Sequence, residues 1–238
     1  MPEVVLVHGA WGGGWQWRWV APLLRRAGFD VTTPTLTGLG ERAHLGSAGA
    51  TLSTHIDDVV EHLWFEDLND AVLVGWSYGV FPIEGAADRI PERIRAVVSL
   101  DGPLVRDGLP MEEPPEAEAA SNDTGLDPPP TAADFAGVID SPSLREFIAA
   151  RERPHAVATF LTPFPNTGGR RWQLPHVYLA CTQPLGESFS RNRLDELEEI
   201  AADPRWELRK LALNHLGPLY APDVVADALV EVVNALTR

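Results

Sequence analysis

Gly75-Trp76-Ser77-Tyr78-Gly79 stands directly after the apolar run Ala71-Val72-Leu73-Val74. The run reads as a buried strand, and residues 78–89 read as the helix that follows it. A serine between the two, in a Gly-x-Ser-x-Gly pattern, is lifted above the sheet edge by a very tight turn. Residues two before and two after it then approach neighbouring backbone closely, which favours glycine. The five-residue pattern is weak evidence by itself; the strand before it and the helix after it give it weight.

The same alternation extends in both directions. Val4–Val7 is a short apolar run ending at His8-Gly9. Residues 15–27 read as a helix closed by Gly28, and residues 29–33 as a second strand. Thr35–Gly40 reads as loop. Residues 54–63 read as a helix with Thr54 as its N-cap. Beyond the serine, residues 94–100 form a strand ending at Asp101-Gly102, 177–181 another, 191–202 a helix and 206–211 the last strand. Residues 223–236 close the chain as a helix with apolar positions Val224, Val225, Ala228, Leu229 and Val232. Strands alternating with helices predict an α/β fold: a mostly parallel sheet with helices on both faces. The alternation breaks between Pro103 and Pro175, which predicts a core of 1–102 and 176–238 with a helical cap inserted at 103–175. Residues 112–130 are rich in Pro, Glu and Ala and read as a mobile linker. Residues 131–161 read as helical, with Ser141-Pro142 as a start signal.

Length and composition bound the function. The 238 residues suit one sizeable domain with an insertion. The formal net charge of −15 argues against nucleic-acid or anionic-membrane partners. A single cysteine, Cys181, excludes a disulfide framework. No basic leader precedes the first strand and no apolar run reaches membrane-span length, so the expected location is the cytoplasm. A homodimer is compatible with all of this. Other motifs fail. Gly12-Gly13-Gly14 lacks dinucleotide-binding spacing, and there is no phosphate loop. His55 and His62, seven apart on one helix, read as surface residues rather than metal ligands, so no cofactor or metal is expected.

A serine hydroxyl needs a base to take its proton, and the base needs an acid to orient it. His215 follows the last strand in Leu213-Asn214-His215-Leu216-Gly217, at the carboxyl edge of the sheet where reactive groups gather. Two acids are open. Asp101 ends the strand after the serine's helix, where a short side chain is well fixed. Glu187 lies in the loop after Cys181, which contains no Asp. The order Ser77, Asp101, His215 is nucleophile–acid–base. The oxyanion donors expected are the N–H of Tyr78 and, from the loop after the first strand, of Ala10. His8 is expected to shape that loop. Trp11 and Trp76 are expected to wall an apolar pocket, while Arg42 and Arg106 are expected to be solvated.

Val5-Leu6-Val7-His8-Gly9-Ala10-Trp11, Thr35-Leu36-Thr37-Gly38-Leu39-Gly40-Glu41-Arg42, Thr54-His55-Ile56-Asp57-Asp58-Val59-Val60 and Val72-Leu73-Val74-Gly75-Trp76-Ser77-Tyr78-Gly79 together resemble the α/β-hydrolase superfamily. Within it the chain is similar to the branch of small esterases and hydroxynitrile lyases and its bacterial relatives. The resemblance covers residues 4–101 and 176–236. It implies the catalytic Ser and His, carried over to Ser77 and His215, with an acid between them. The chain departs from the pattern at Trp76, where a His is frequent, at Val80, where a Gly is frequent, and at Gln183-Pro184, where the acid usually stands. Some members of the superfamily place the acid at the position of Asp101. Leu216 replaces the lysine that hydroxynitrile lyases of this branch carry after the His. The expected function is a serine hydrolase that cleaves an ester, thioester or lactone of a small apolar molecule. A lyase or cyclase at the same site is the alternative, and a non-catalytic binding protein a third reading.

Overall fold

In a computed structural model that describes residues 1–46, 49–112, 125–184 and 194–237, six strands form one parallel sheet. They are β1 (Glu3–Val7), β2 (Asp30–Thr32), β3 (Ala71–Trp76), β4 (Ile94–Leu100), β7 (His176–Cys181) and β8 (Trp206–Leu211), in the order β2-β1-β3-β4-β7-β8. Every neighbouring pair is parallel, with Val4 opposite Val72, Val72 opposite Ala96, and Val98 opposite Val177. Such strands are covered on both faces, so they read as continuous apolar runs rather than as alternation.

Side chains still alternate between the two covers. Val4, Leu6, Val72, Val74 and Val98 pack on one face, against α1 (Ala21–Arg26) and the closing helix Pro222–Leu236. Val5, Val7, Leu73 and Val97 pack on the other, with Val59 and Leu63 of α2 (Leu52–Phe65) and Ile83 of α3 (Val80–Arg89). Buried Gly85 lets α2 and α3 approach: a Cβ there would lie 2.3 Å from Ile56 Cδ1.

Two helix boundaries and one helix face differ from the sequence reading. Residues 15–27 are a 3-10 turn, Gly14–Trp17, followed by α1; Pro22 lacks an N–H and suits the start of a new helix rather than the middle of one. Thr51, not Thr54, caps α2. The Thr51 and Thr54 side chains close a reciprocal capping box, so the helix starts one turn earlier. In the closing helix Val224 is 48% exposed, because the stripe facing the sheet runs Val225, Leu229 and Val232 with Ala226 and Val233.

Between β4 and β7 the described residues 103–112 and 125–175 are less helical than their sequence suggests. They hold the short antiparallel pair β5 (Leu126–Asp127) and β6 (His155–Ala156), the helices Pro142–Ala149 and Val157–Leu161, and the 3-10 turn Arg170–Gln173. Ser141 caps the first helix by accepting from the Leu144 N–H at 3.3 Å. Phe135, Phe160 and Phe164 from this stretch are buried in three different core clusters. Arg171, 1% exposed, ties it to α3 through Asp88 Oδ2 at 2.9 Å and Glu84 Oε2 at 3.3 Å, and reaches Asp107 Oδ1 at 2.7 Å.

The turn after β3 is as tight as its glycines demand. A Cβ on Gly75 would lie 2.5 Å from the Gly79 carbonyl oxygen, and one on Gly79 would lie 2.6 Å from the carbonyl oxygens of Val7 and His8. These are contacts with backbone, which cannot swing aside. Gly79→Ala is therefore expected to lower the unfolding free energy by about 1–3 kcal/mol, read as a fall in the urea midpoint with the slope unchanged. An unchanged midpoint would show that β1 and this turn can separate freely.

Candidate active site

Ser77 sits at the top of that turn with φ +54°, in the left-handed region that non-glycine residues rarely take. Packing of β1 against the following 3-10 turn Ser77–Gly79 holds it there. Its hydroxyl-bearing side chain and His215 line one cavity at the carboxyl edge of the sheet.

His215 lies in the loop between β8 and the short helix Gly217–Tyr220. Its neighbour Asn214 braces that loop three ways. The Asn214 N–H donates to Tyr220 Oη at 3.0 Å, its Nδ2 donates to the Val138 carbonyl at 3.1 Å, and its Oδ1 accepts from the Leu216 N–H at 2.9 Å. Trp76 adds a fourth contact, from Nε1 to the His215 carbonyl at 2.8 Å. The imidazole Nδ1 is 2.7 Å from Asp101 Oδ2. An aspartate accepts there, so Nδ1 carries the hydrogen and Nε2 of the neutral ring keeps its lone pair. Asp101 has φ +48°, a conformation Asp tolerates better than most residues. Its Oδ1 accepts from the Cys181 N–H at 2.9 Å. Both side chains are largely buried, His215 at 16% and Asp101 at 8% exposure. Glu187, the other candidate acid, lies outside the described residues.

The loop after β1 offers three backbone amides. The Gly9 N–H donates to Gln16 Oε1 at 3.1 Å, and the Trp11 N–H to His155 Nδ1 at 3.1 Å. The Ala10 N–H, between them, and the Tyr78 N–H on the other side make no hydrogen bond among the described residues. Trp11 is gripped from outside the core. Besides the His155 contact, its Nε1 donates to Asp127 Oδ2 at 3.0 Å and its carbonyl accepts from the Arg153 N–H at 2.8 Å. Trp11 and Trp76 both line the cavity, with Phe135, Leu216 and Leu219 completing an apolar wall.

Beneath the loop lies a cluster that sequence reasoning missed. His8 shapes the loop as expected: it accepts from the Leu36 N–H at Nε2 and so donates from Nδ1 to the Gly9 carbonyl. His55, read as a surface residue, is 1% exposed; Ile56, Val59 and Leu63 share its face of α2 and carry it inward. Its Nε2–H donates to the Thr37 carbonyl, so Nδ1 accepts from Tyr78 Oη at 2.7 Å. His155, also buried, stacks on Phe160 with ring centroids 4.5 Å apart. Burial pushes His8 and His55 down to about 4 and His155 well below its ordinary value. A second proton on His8 or His155 would also face an N–H donor already in place. Among the described residues no three His, Cys, Asp or Glu groups could hold a metal ion. Arg42 and Arg106 are engaged by Asp58 and Glu199 and stand outside the cavity lining.

The unfolded chain protonates His8 and His55 as pH falls through about 6.5, while the folded chain resists until about 4. Unfolding free energy is therefore expected to drop across that window and to level off below it. His55→Gln, which supplies one acceptor and one donor but does not titrate, is expected to take up about one proton fewer on unfolding. Urea titrations at a series of pH values measure this, and the same slope in both proteins would contradict it.

A profile described as the Alpha/beta hydrolase family matches residues 4–228. Among curated proteins the chain is 36% identical to the carbendazim hydrolyzing esterase of Nocardioides sp. (strain SG-4G), over 96% of this chain and 98% of that protein. It is 26% identical to salicylic acid-binding protein 2 of Nicotiana tabacum, over 97% and 96% respectively. Among solved structures an extracellular alpha/beta-hydrolase from a Paenibacillus species superposes with a TM-score of 0.78, at 20% identity, over 97% of this chain and 98% of that one.

Proposed function

Since the chain belongs to the alpha/beta hydrolase family and is an enzyme of esterase type, we propose that it hydrolyses a small, largely apolar carboxylic ester through an acyl-enzyme on Ser77. The observation that carries this reading is the 2.7 Å contact between His215 Nδ1 and Asp101 Oδ2, in the cavity that Ser77 lines. With Nδ1–H given to Asp101, Nε2 is the atom that takes the serine proton. The serine oxygen attacks the ester carbonyl as the proton leaves. The oxyanion forms opposite the unengaged N–H groups of Ala10 and Tyr78, whose alignment would supply a few kcal/mol. The imidazolium then protonates the departing alkoxide, and a water activated by the same nitrogen releases the acid. Asp101 holds the tautomer throughout and offsets the imidazolium charge.

Two further parts belong to the reading. The described residues 103–112 and 125–175 act as a cap: Phe135 and Pro130 line the cavity, while Trp11 is held by Asp127, Arg153 and His155. The substrate is mainly apolar, since Trp11, Trp76, Phe135 and Leu219 dominate the wall and no Lys or Arg among the described residues lines it. Leu216 among the wall residues, where hydroxynitrile lyases of this branch carry a lysine, favours hydrolysis over the lyase alternative.

A fluorophosphonate is expected to form one adduct, on Ser77, and Ser77→Ala to abolish turnover of p-nitrophenyl acetate and butyrate. Asp101→Asn is expected to lower kcat about 10³–10⁴-fold with the fold intact, because the wrong tautomer is presented. Carbendazim belongs in the substrate panel beside simple methyl esters. An adduct on another serine, or full activity of either variant, would contradict the assignment.

A further inference from the structure

The cavity wall holds one acid with no part in that mechanism. Glu152 lies beyond the helix Pro142–Ala149 and is 5% exposed. Its Oε1 accepts from Gln16 Nε2 at 3.1 Å, and Gln16 Oε1 accepts the Gly9 N–H. Its Oε2 is buried and has no hydrogen-bond partner among the described residues. No cation pairs with it among the described residues. Arg153, next in the chain, turns its guanidinium to the carbonyls of Ala150 and Glu152. A carboxylate in that position would lose its hydration and receive one neutral hydrogen bond in return, which is a poor exchange. Burial accordingly pushes the group up to about 8, with the Gln16 hydrogen bond and the Arg153 charge acting the other way. Near neutral pH it therefore keeps its proton. With Oε1 committed to Gln16, the proton belongs on Oε2. The other titratable groups at this cavity are His215 and, behind it, Asp101, which are engaged with each other.

We propose that Glu152 is a specificity residue whose Oε2–H donates a hydrogen bond, within the Ser77 cavity, to an acceptor atom of the substrate. The substrate class is then a compact ester, apolar over most of its surface, whose acyl or alkoxy group carries one neutral acceptor such as a ring nitrogen, an ether oxygen or a second carbonyl. This rests on the proposed ester hydrolysis for what reacts, but only on the cavity for what binds. A ligand with an acceptor satisfies the buried hydroxyl; a purely hydrocarbon ligand leaves it unpaired, and the difference is a binding preference. Gln16 takes part in both functions, since one end of its amide holds the Gly9 amide next to Ala10 and the other aims Glu152.

The test separates binding from turnover. In Ser77→Ala, calorimetry gives association constants for methyl nicotinate and methyl benzoate, which differ by one ring nitrogen. At about pH 6.5 the nicotinate-to-benzoate ratio is expected to be about fivefold larger in Ser77→Ala than in Ser77→Ala/Glu152→Leu. At about pH 9.5 the carboxyl has lost its proton and the ratio in Ser77→Ala is expected to fall by the same factor. In Ser77→Ala/Glu152→Gln an amide N–H replaces the hydroxyl, so the ratio should persist and become independent of pH. Should Glu152→Leu fail to fold, the pH comparison between Ser77→Ala and Ser77→Ala/Glu152→Gln decides alone. Equal ratios in all three proteins, or a ratio in Ser77→Ala that ignores pH, would overturn the proposal. Loss of ester turnover by the wild-type chain with the preference intact would instead remove the hydrolase reading and leave this one standing.

Discussion

Asp101 joins three parts of the chain that are far apart in sequence. It directly follows β4, receives the Cys181 N–H from the end of β7 and holds His215 beyond the end of β8. A parallel sheet brings all its strands out at one edge, so residues that follow successive strands become neighbours without any local signal between them. The register does the placing: Leu100, just before Asp101, pairs with Leu179, two residues before Cys181. A one-residue slip of β7 would move the Cys181 amide off the carboxylate and exchange Val177 and Leu179 with Tyr178 and Ala180 between the two covers, which are packed for different side chains. The geometry of the site therefore depends on the packing of both sheet faces, well away from the cavity.

The second dependence runs between core and insertion. Trp11, at φ +58°, is held by N–H, carbonyl and indole contacts that all come from residues 127–155. Gln16 and Glu152 make a further bridge across the same boundary. The loop that presents the Ala10 amide is thus shaped by the insertion as much as by β1. The histidines below it are neutral because burial and existing donors leave no place for a second proton. A buried, hydrogen-bonded base of this kind holds the loop above it in one conformation.

How much of this was legible in the sequence follows from the range of each contact. The strand–turn–helix around Ser77 is local, and Gly75 and Gly79 announced its tightness. The sheet followed from apolar runs ending in His8-Gly9, Gly75 and Asp101-Gly102. Asp101 and His215 could be picked out as candidates because both stand in the turns that follow strands, at the carboxyl edge of the sheet, a position that sequence does reveal. The histidine cluster could not. His55 stands one helix turn from polar neighbours, and only the tertiary packing of α2 on α3 shows that its face points inward. His155 and Glu152 meet the core through contacts spanning more than a hundred residues, inside a stretch whose composition suggested helix and linker alone. The misplaced start of α2 came from reading Thr54 as the cap when it closes the capping box begun by Thr51.

The central claim is that Asp101, rather than Glu187, orients His215. Proton NMR of the Ser77 phosphonate adduct tests it most directly, because an imidazole Nδ1–H held by a carboxylate gives a strongly deshielded resonance. The account predicts that this resonance is present in the wild-type adduct, survives Glu187→Gln and disappears in Asp101→Ala. A resonance that survives Asp101→Ala and is lost in Glu187→Gln would contradict it.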